Sequence, residues 1–185
     1  MGADAPRARR RIAVFCGSND GADPAYSAAA MALGVAIARA GHVLVYGGSR
    51  LGLMGQLADA AIGEGGEVIG VMPQSLVDRE RAHRGLNELR VVASMHERKA
   101  TMADLSDAFI ALPGGIGTLD ELFEIWTWRQ LGLHEKPLAL FDVADYFAPM
   151  IEFLDRSVSA GFLRSEGRAM LGRAHSAEGA LALVQ

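Results

Sequence analysis

With 185 residues, half of them hydrophobic, 22% charged and a single cysteine, the chain is long enough to bury a core without disulfides or metals and too apolar to be disordered. Its formal net charge of −4 gives no global reason to bind nucleic acid or an anionic membrane, so an anionic ligand would need a local positive site. The lone Cys16 excludes an intramolecular disulfide framework and a cysteine zinc site, and a reducing, cytoplasmic setting is expected.

The chain opens with MGADAPRARRR, and residues 1 to 11 read as a disordered basic tail. The apolar stretch that follows, IAVFCGS, is too short for a signal h-region or a membrane span, so residues 12 to 185 are expected to form one domain. Apolar runs at 12 to 18, 42 to 48, 67 to 73, 89 to 92, 108 to 115 and 136 to 142 read as strands, several apolar on both faces. Between them, Pro24 to Ala40, Gly52 to Gly63, Ser94 to Ser106 and Thr118 to Leu131 carry apolar residues every three or four positions and read as helices. Beyond Asp142 the pattern is helical to the C-terminus. This alternation predicts a Rossmann-like, doubly wound parallel sheet in a three-layer α/β/α domain, with ligands at the carboxyl ends of the strands.

Three predicted strands end in glycine-rich loops: CGSNDG, with Gly17 and Ser18; YGGSRLG, with Gly47 and Gly48; and PGGIGT, with Gly114, Gly115, Ile116 and Gly117. A single loop of this kind reads equally well as a tight turn. Three on one rim point to a ligand that approaches the backbone closely. GGSRLG lacks the Gly-Lys-Ser/Thr ending of a P-loop, GIGTLD carries Asp120 where a third dinucleotide-binding glycine should stand, and GGSRL misses the nucleophile-elbow pattern. The five histidines have no metal-ligand spacing, and no metal is expected.

Thr118 and Glu121 stand at capping-box spacing, so Glu121 can be a backbone cap. The same helix start offers free N–H groups from Gly115 to Thr118 and a positive dipole end, which favour a phosphate. Ser94 and Glu97 repeat the spacing and place Arg98 and Lys99 in the first turns of the preceding helix. Cations there are mildly unfavourable, by about 0.3 to 1 kcal/mol, unless they reach solvent or meet an anion.

At these residues the chain resembles the Lonely Guy (LOG) family of phosphoribohydrolases, whose PGGxGTxxE signature stands complete as Pro113, Gly114, Gly115, Gly117, Thr118 and Glu121. The likeness runs in order through FCGS, YGGSRLGLMG, GGEVIGVMP, MHERKA, FIALPGGIGT and TWRQLGLHEKP to the GF at 161 to 162. It departs from the family pattern at Ser49, Ile116 and Asp120. The resemblance implies hydrolysis of the N-glycosidic bond of a cytokinin nucleoside 5′-monophosphate to free base and ribose 5-phosphate, with no redox cofactor, by a homodimer or larger assembly. It implies Arg98 and Glu121 as the catalytic pair, and substrate contacts from Glu80, Lys99, the segment Gly115 to Glu121, and Thr127.

The residue chemistry agrees: a carboxylate beside C1′ stabilises the positive charge that builds on the ribose, and an arginine holds phosphate or ribose with a planar fork of donors. Two rivals share the fold, a non-catalytic carrier of nucleotides or molybdenum cofactor and a nucleosidase for AMP or another purine monophosphate. A lysine decarboxylase would need a pyridoxal phosphate lysine, for which Lys99 and Lys136 offer no supporting context. Trp126 and Trp128 are expected in packing, Met54, Met95 and Met102 on apolar surfaces including the base pocket, and Cys16 as an inert buried thiol.

Overall fold

Alternate side chains of a strand face opposite sides of its sheet, and here both sides are apolar. The computed structural model describes residues 8–79 and 81–185. In β1 (Arg11–Phe15) Ile12 and Val14 face one side and Ala13 and Phe15 the other, and all four are buried. The same alternation runs through β2 (Val43–Tyr46), β3 (Glu67–Pro73), β5 (Ala108–Ala111) and β6 (Leu138–Phe141). Edge strands β4 (Glu88–Val92) and β7 (Leu171–Ala174) are only partly covered.

The seven strands form one parallel sheet in the order β4-β3-β2-β1-β5-β6-β7. Helices α1 (Pro24–Arg39), α2 (Gly52–Gly63) and α8 (Ala177–Ala182) cover one face. Helices α4 (Met95–Leu105), α5 (Ile116–Gln130) and α6 (Ala148–Ser159) cover the other. Short helices α3 (Gln74–Val77) and α7 (Ser165–Ala169) complete the chain. From β1 the strand order proceeds outward to β4, and α4 carries the chain back so that β5 lies on the other side of β1. Such a reversal opens a crevice at the carboxyl ends of the two strands.

α1 and α2 approach closely because Gly34 has no side chain. A Cβ there would lie 2.3 Å from the Leu57 carbonyl oxygen. Gly34→Ala should therefore lower stability by about 1 to 3 kcal/mol through overpacking, despite the better helix propensity of alanine. A urea midpoint at or above that of the wild type would show that the two helices separate without penalty.

Three boundaries differ from the sequence reading. Arg11 belongs to β1, Arg9 pairs with Glu67, and Arg10 donates to the Val184 carbonyl at 3.2 Å, so the end of the basic tail is part of the domain. The rest of the predicted tail, residues 1 to 7, lies outside the described residues. The stretch after Asp142 is not all helix, because Leu171–Ala174 extends the sheet beyond β6. Finally, α5 begins at Ile116, two residues before Thr118. No helix among the described residues is long and apolar enough to cross a membrane.

Candidate active site

The loops after β1 and β5 touch. The Gly17 N–H donates to the Pro113 carbonyl at 3.1 Å, and a Cβ on Gly114 would stand 2.1 Å from Thr118 Oγ1 and 2.8 Å from the Gly17 nitrogen. Only glycine permits that approach. Gly115 is the N-cap of α5 and offers no capping side chain, while Thr118 is already inside the helix. The predicted Thr118/Glu121 capping box is therefore not formed, since the helix starts too early for it. The N–H groups at the start of α5 have no carbonyl one turn back within the helix, and they carry its positive dipole end.

The equivalent spacing at α4 does form a cap. Ser94 Oγ accepts from the Glu97 N–H at 3.1 Å, and Glu97 reaches back to accept from the Ala93 N–H at 2.7 Å. The next residue, Arg98, turns inward and is 7% exposed. Its Nε donates to the Val71 carbonyl at 3.0 Å and its Nη2 to the Gly47 carbonyl at 3.1 Å, while Nη1 lies 3.5 Å from Glu121 Oε1. A Cβ on Gly47 would fall 1.9 Å from Arg98 Nη2, so glycine there makes room for the guanidinium.

Lys99 turns the other way and bridges Asp120 and Glu124 of α5, each at 3.0 Å. Burial pulls its ammonium down, but hydrogen bonds to Asp120 and Glu124 outweigh this and raise it above an ordinary lysine. The two cations at the start of α4 are thus matched by carboxylates of α5 and need no external anion to offset the helix dipole, contrary to the conflict read from sequence.

Arg98 and Glu121 face a cavity of about 500 Å3 at the rim of the sheet. Gly17, Ser18, Gly47, Gly114, Gly115, Ile116, Gly117 and Thr118 also line it, as expected from the three glycine loops. Gly48, Met95, Lys99, Asp120 and Thr127 do not, and Glu80 lies outside the described residues. Gly48 has φ +75° and packs against Leu89 and Met72. Thr127 is exposed on α5, and Lys99 and Asp120 form the α4–α5 strap. Ser49 needs no positive φ; its Oγ accepts from the Leu51 N–H at 3.1 Å, so serine fits the position taken by a third glycine in the family.

Sequence reasoning missed the walls. Leu53, Met72 and Leu76 join the anticipated Met54 on an apolar side, and Arg81 stands near them. Tyr26 and Tyr146 meet edge to face with ring centroids 5.8 Å apart. Placement directly after a strand on the ligand-bearing rim was the one signal available for Tyr146. Met102 is core, and Trp126 is buried with its indole N–H on the Gly167 carbonyl at 2.9 Å.

Burial pushes the Glu121 carboxyl above the usual carboxylate range, Arg98 opposes this, and Asp120 adds to it. The pair thus holds a carboxylate that takes a proton more readily than an exposed one, against a guanidinium that stays charged. Cys16, which lines the cavity, is driven far up by burial and then by Glu121, with Arg98 opposing; its thiol stays protonated and unreactive. The arrangement can seat an anion at the start of α5 and present a buried carboxylate one helical turn away. That combination suits cleavage of a phosphorylated ribosyl compound.

A family model described as "Possible lysine decarboxylase" matches residues 54–184. The chain is 46% identical over 177 residues to the cytokinin riboside 5′-monophosphate phosphoribohydrolase of Rhodococcoides fascians, covering 95% of this chain and 89% of that one. It is 48% identical over 162 residues to the cytokinin riboside 5′-monophosphate phosphoribohydrolase LOG of Oryza sativa subsp. japonica, covering 88% and 67%. Among solved structures, the molybdenum cofactor binding protein from Rippkaea orientalis superposes with a TM-score of 0.71 at 24% identity, covering 96% of each chain. The Moco carrier protein of Chlamydomonas reinhardtii gives 0.71 at 24%, covering 95% and 94%. These last two share the fold. The identities to the phosphoribohydrolases extend over most of the chain, and the chain belongs to the LOG family of cytokinin riboside 5′-monophosphate phosphoribohydrolases.

Proposed function

We propose that the protein hydrolyses the N-glycosidic bond of cytokinin riboside 5′-monophosphates, releasing the free base and ribose 5-phosphate. The observation that carries this reading is the buried Arg98–Glu121 pair, 3.5 Å apart, beside a helix start with no side-chain cap. The 5′-phosphate sits on the N–H groups at the start of α5, where backbone donors and helix dipole both favour it. That anchor spends binding energy remote from the reacting bond to bring C1′ beside Glu121. As the C1′–N bond breaks, its electron pair leaves with the base and positive charge spreads over the ribose ring. The Glu121 carboxylate stabilises that charge and takes a proton from the water that attacks C1′, the departing base takes up a proton from solvent, and Glu121 returns its own proton to solvent. Arg98 holds the carboxylate in place from one side and offers Nη1, its only nitrogen not committed to a backbone carbonyl, to ribose or phosphate.

Leu53, Met54, Met72 and Leu76 suit an apolar N6 substituent, and Met54 and Met72 adapt readily to its shape. The lysines support no decarboxylase reading. Lys99 is neutralised by two carboxylates, Lys136 is tied to the Ala103 carbonyl at 2.7 Å, and neither lines the cavity.

The reading extends to a cytoplasmic homodimer. Met95 of α4 is 46% exposed and Thr127 of α5 is exposed, both outside this cavity. A second copy laid on that face would cover them and bring Thr127 toward a partner's substrate.

The test is release of free base from isopentenyladenosine monophosphate and from AMP by the wild-type chain. A kcat/KM at least about tenfold higher for the isopentenyl compound is expected, the usual worth of a small apolar group in a matching pocket. Equal rates would make it a general purine monophosphate nucleosidase. Tight retention of either nucleotide without cleavage would make it a carrier.

A further inference from the structure

A cluster that the proposed chemistry leaves unused lies one strand away, where β6 ends. Asp142 is 1% exposed, and its carboxylate accepts from the Phe147 N–H at 2.9 Å. Arg173 of β7 bridges the cluster: Nη2 is 2.6 Å from Asp142 Oδ2 and 2.8 Å from Asp145 Oδ1. Asp142, Asp145 and His175 lie close enough to suit a cation, but the guanidinium of Arg173 already supplies the positive charge. Between the two aspartates the chain turns through Ala144 at φ 51° and Asp145 at φ 55°, the left-handed region that side chains enter at a penalty. The strain needs something to hold it, and the Arg173 bridge does so from outside while buried Phe147 anchors the turn from within.

What this turn delivers is Tyr146. Its hydroxyl donates to the Gly114 carbonyl at 2.5 Å, and its ring is packed between Tyr26 and Phe147. The Gly114 carbonyl and the Gly115 N–H belong to one planar trans peptide and point in opposite directions. Fixing the first fixes the second. The bond also engages a carbonyl oxygen that would otherwise repel an anion at the start of α5. Gly114 cannot be steadied by a side chain of its own, because a Cβ there meets Thr118 and Gly17.

We infer that Tyr146 is a positioning residue for the phosphate cradle, aiming the Gly115 N–H through the Gly114 carbonyl, and that the Arg173 bridge holds the strained turn that presents it. The inference rests on the phosphate being seated at the start of α5, as proposed above. It concerns a different quantity, the separate affinity for the phosphorylated half of the substrate.

The experiment compares wild type, Tyr146→Phe and Arg173→Lys by calorimetric titration with AMP, ribose 5-phosphate and free isopentenyladenine. Phenylalanine keeps the ring contacts, and lysine keeps a charge opposite Asp142 but cannot reproduce the fork. Tyr146→Phe is expected to weaken AMP and ribose 5-phosphate binding about three- to tenfold, the effect of one hydrogen bond, and to leave the base within about twofold. Arg173→Lys should weaken the same two ligands, and the double variant should show less than the product of the single effects. Equal weakening of base and ribose 5-phosphate would mean a general packing role and overturn the inference, as would unchanged ribose 5-phosphate binding. Independent effects in the double variant would break the link to Arg173. Failure of the wild type to bind both AMP and ribose 5-phosphate would overturn the phosphate seat of the proposed function as well, whereas equal AMP binding by wild type and Tyr146→Phe overturns this inference alone.

Discussion

Glu121→Gln is expected to release base about 10²- to 10³-fold more slowly than wild type while remaining folded, the usual loss when a group aimed at transition-state charge is neutralised. Glutamine keeps the shape and can still accept from Arg98, and since Glu121 makes no capping bond among the described residues, the substitution removes charge alone. Burial raises the Glu121 carboxyl above its ordinary value, so the folded protein binds that proton more tightly than the unfolded chain. The resulting loss of stability builds up as pH rises from the ordinary carboxylate pKa to the raised folded one, and is fully present above it. Glutamine escapes this loss. At neutral pH the variant should be at least as stable as wild type, and the two should converge as pH falls toward the ordinary glutamate range. In wild type the acid limb of kcat/KM should fall above that range, and it should vanish from the residual rate of the variant. Measuring urea midpoints and base release from pH 4 to 8, about the window of interest for a raised carboxylate, checks both arms. Wild-type turnover by Glu121→Gln would remove the carboxylate from the chemistry.

Arg98→Ala should be damaging on two counts. The guanidinium is buried, satisfies the Val71 and Gly47 carbonyls and faces Glu121. Truncation leaves two buried acceptors and a carboxylate without partners, and a loss of about 2 to 4 kcal/mol is expected. Turnover should drop at least about 10²-fold, because substrate positioning and the orientation of Glu121 fail together. Arg98 is also the main influence lowering the Glu121 carboxyl, so the acid limb of any residual activity should move to still higher pH. Chemical denaturation and steady-state kinetics report the two effects separately. A variant as stable as wild type would show that the arginine is not tied into the sheet as its hydrogen bonds indicate.

The central strands were legible because their burial is two-sided, as in FIAL and LALF, and because glycine loops close several of them on one rim. β7 was not: Leu-Gly-Arg-Ala is short, barely apolar and follows a run of helices. The two identical capping spacings had opposite outcomes, Ser94/Glu97 forming a cap and Thr118/Glu121 not. The difference lies upstream, since Gly115 allows α5 to start before the threonine, and residue spacing alone does not fix where a helix begins. Arg98 and Glu121 were found through the family motif, but their contact, and the diversion of Lys99 to Asp120 and Glu124, depend on how α4 and α5 face each other. The role of Tyr146 was not legible beyond its place after a strand, for a related reason. Its partner Gly114 lies on a neighbouring strand's loop, and β5 and β6 become neighbours only in the assembled sheet.

The contact between the loops after β1 and β5 has a consequence for how the protein is made. Strands β1 to β4 can align progressively as the chain leaves the ribosome, each beside its predecessor. β5 must then return past three strands to dock against β1, a long-range closure of the kind that slows folding. The proposed anion site lies on that seam, with Gly17 on one side and Pro113 on the other. A nascent chain that has not yet released β5 therefore holds the glycine loops of β1 and β2 without a cradle, and competence for ligand is acquired in the same step that completes the middle of the sheet.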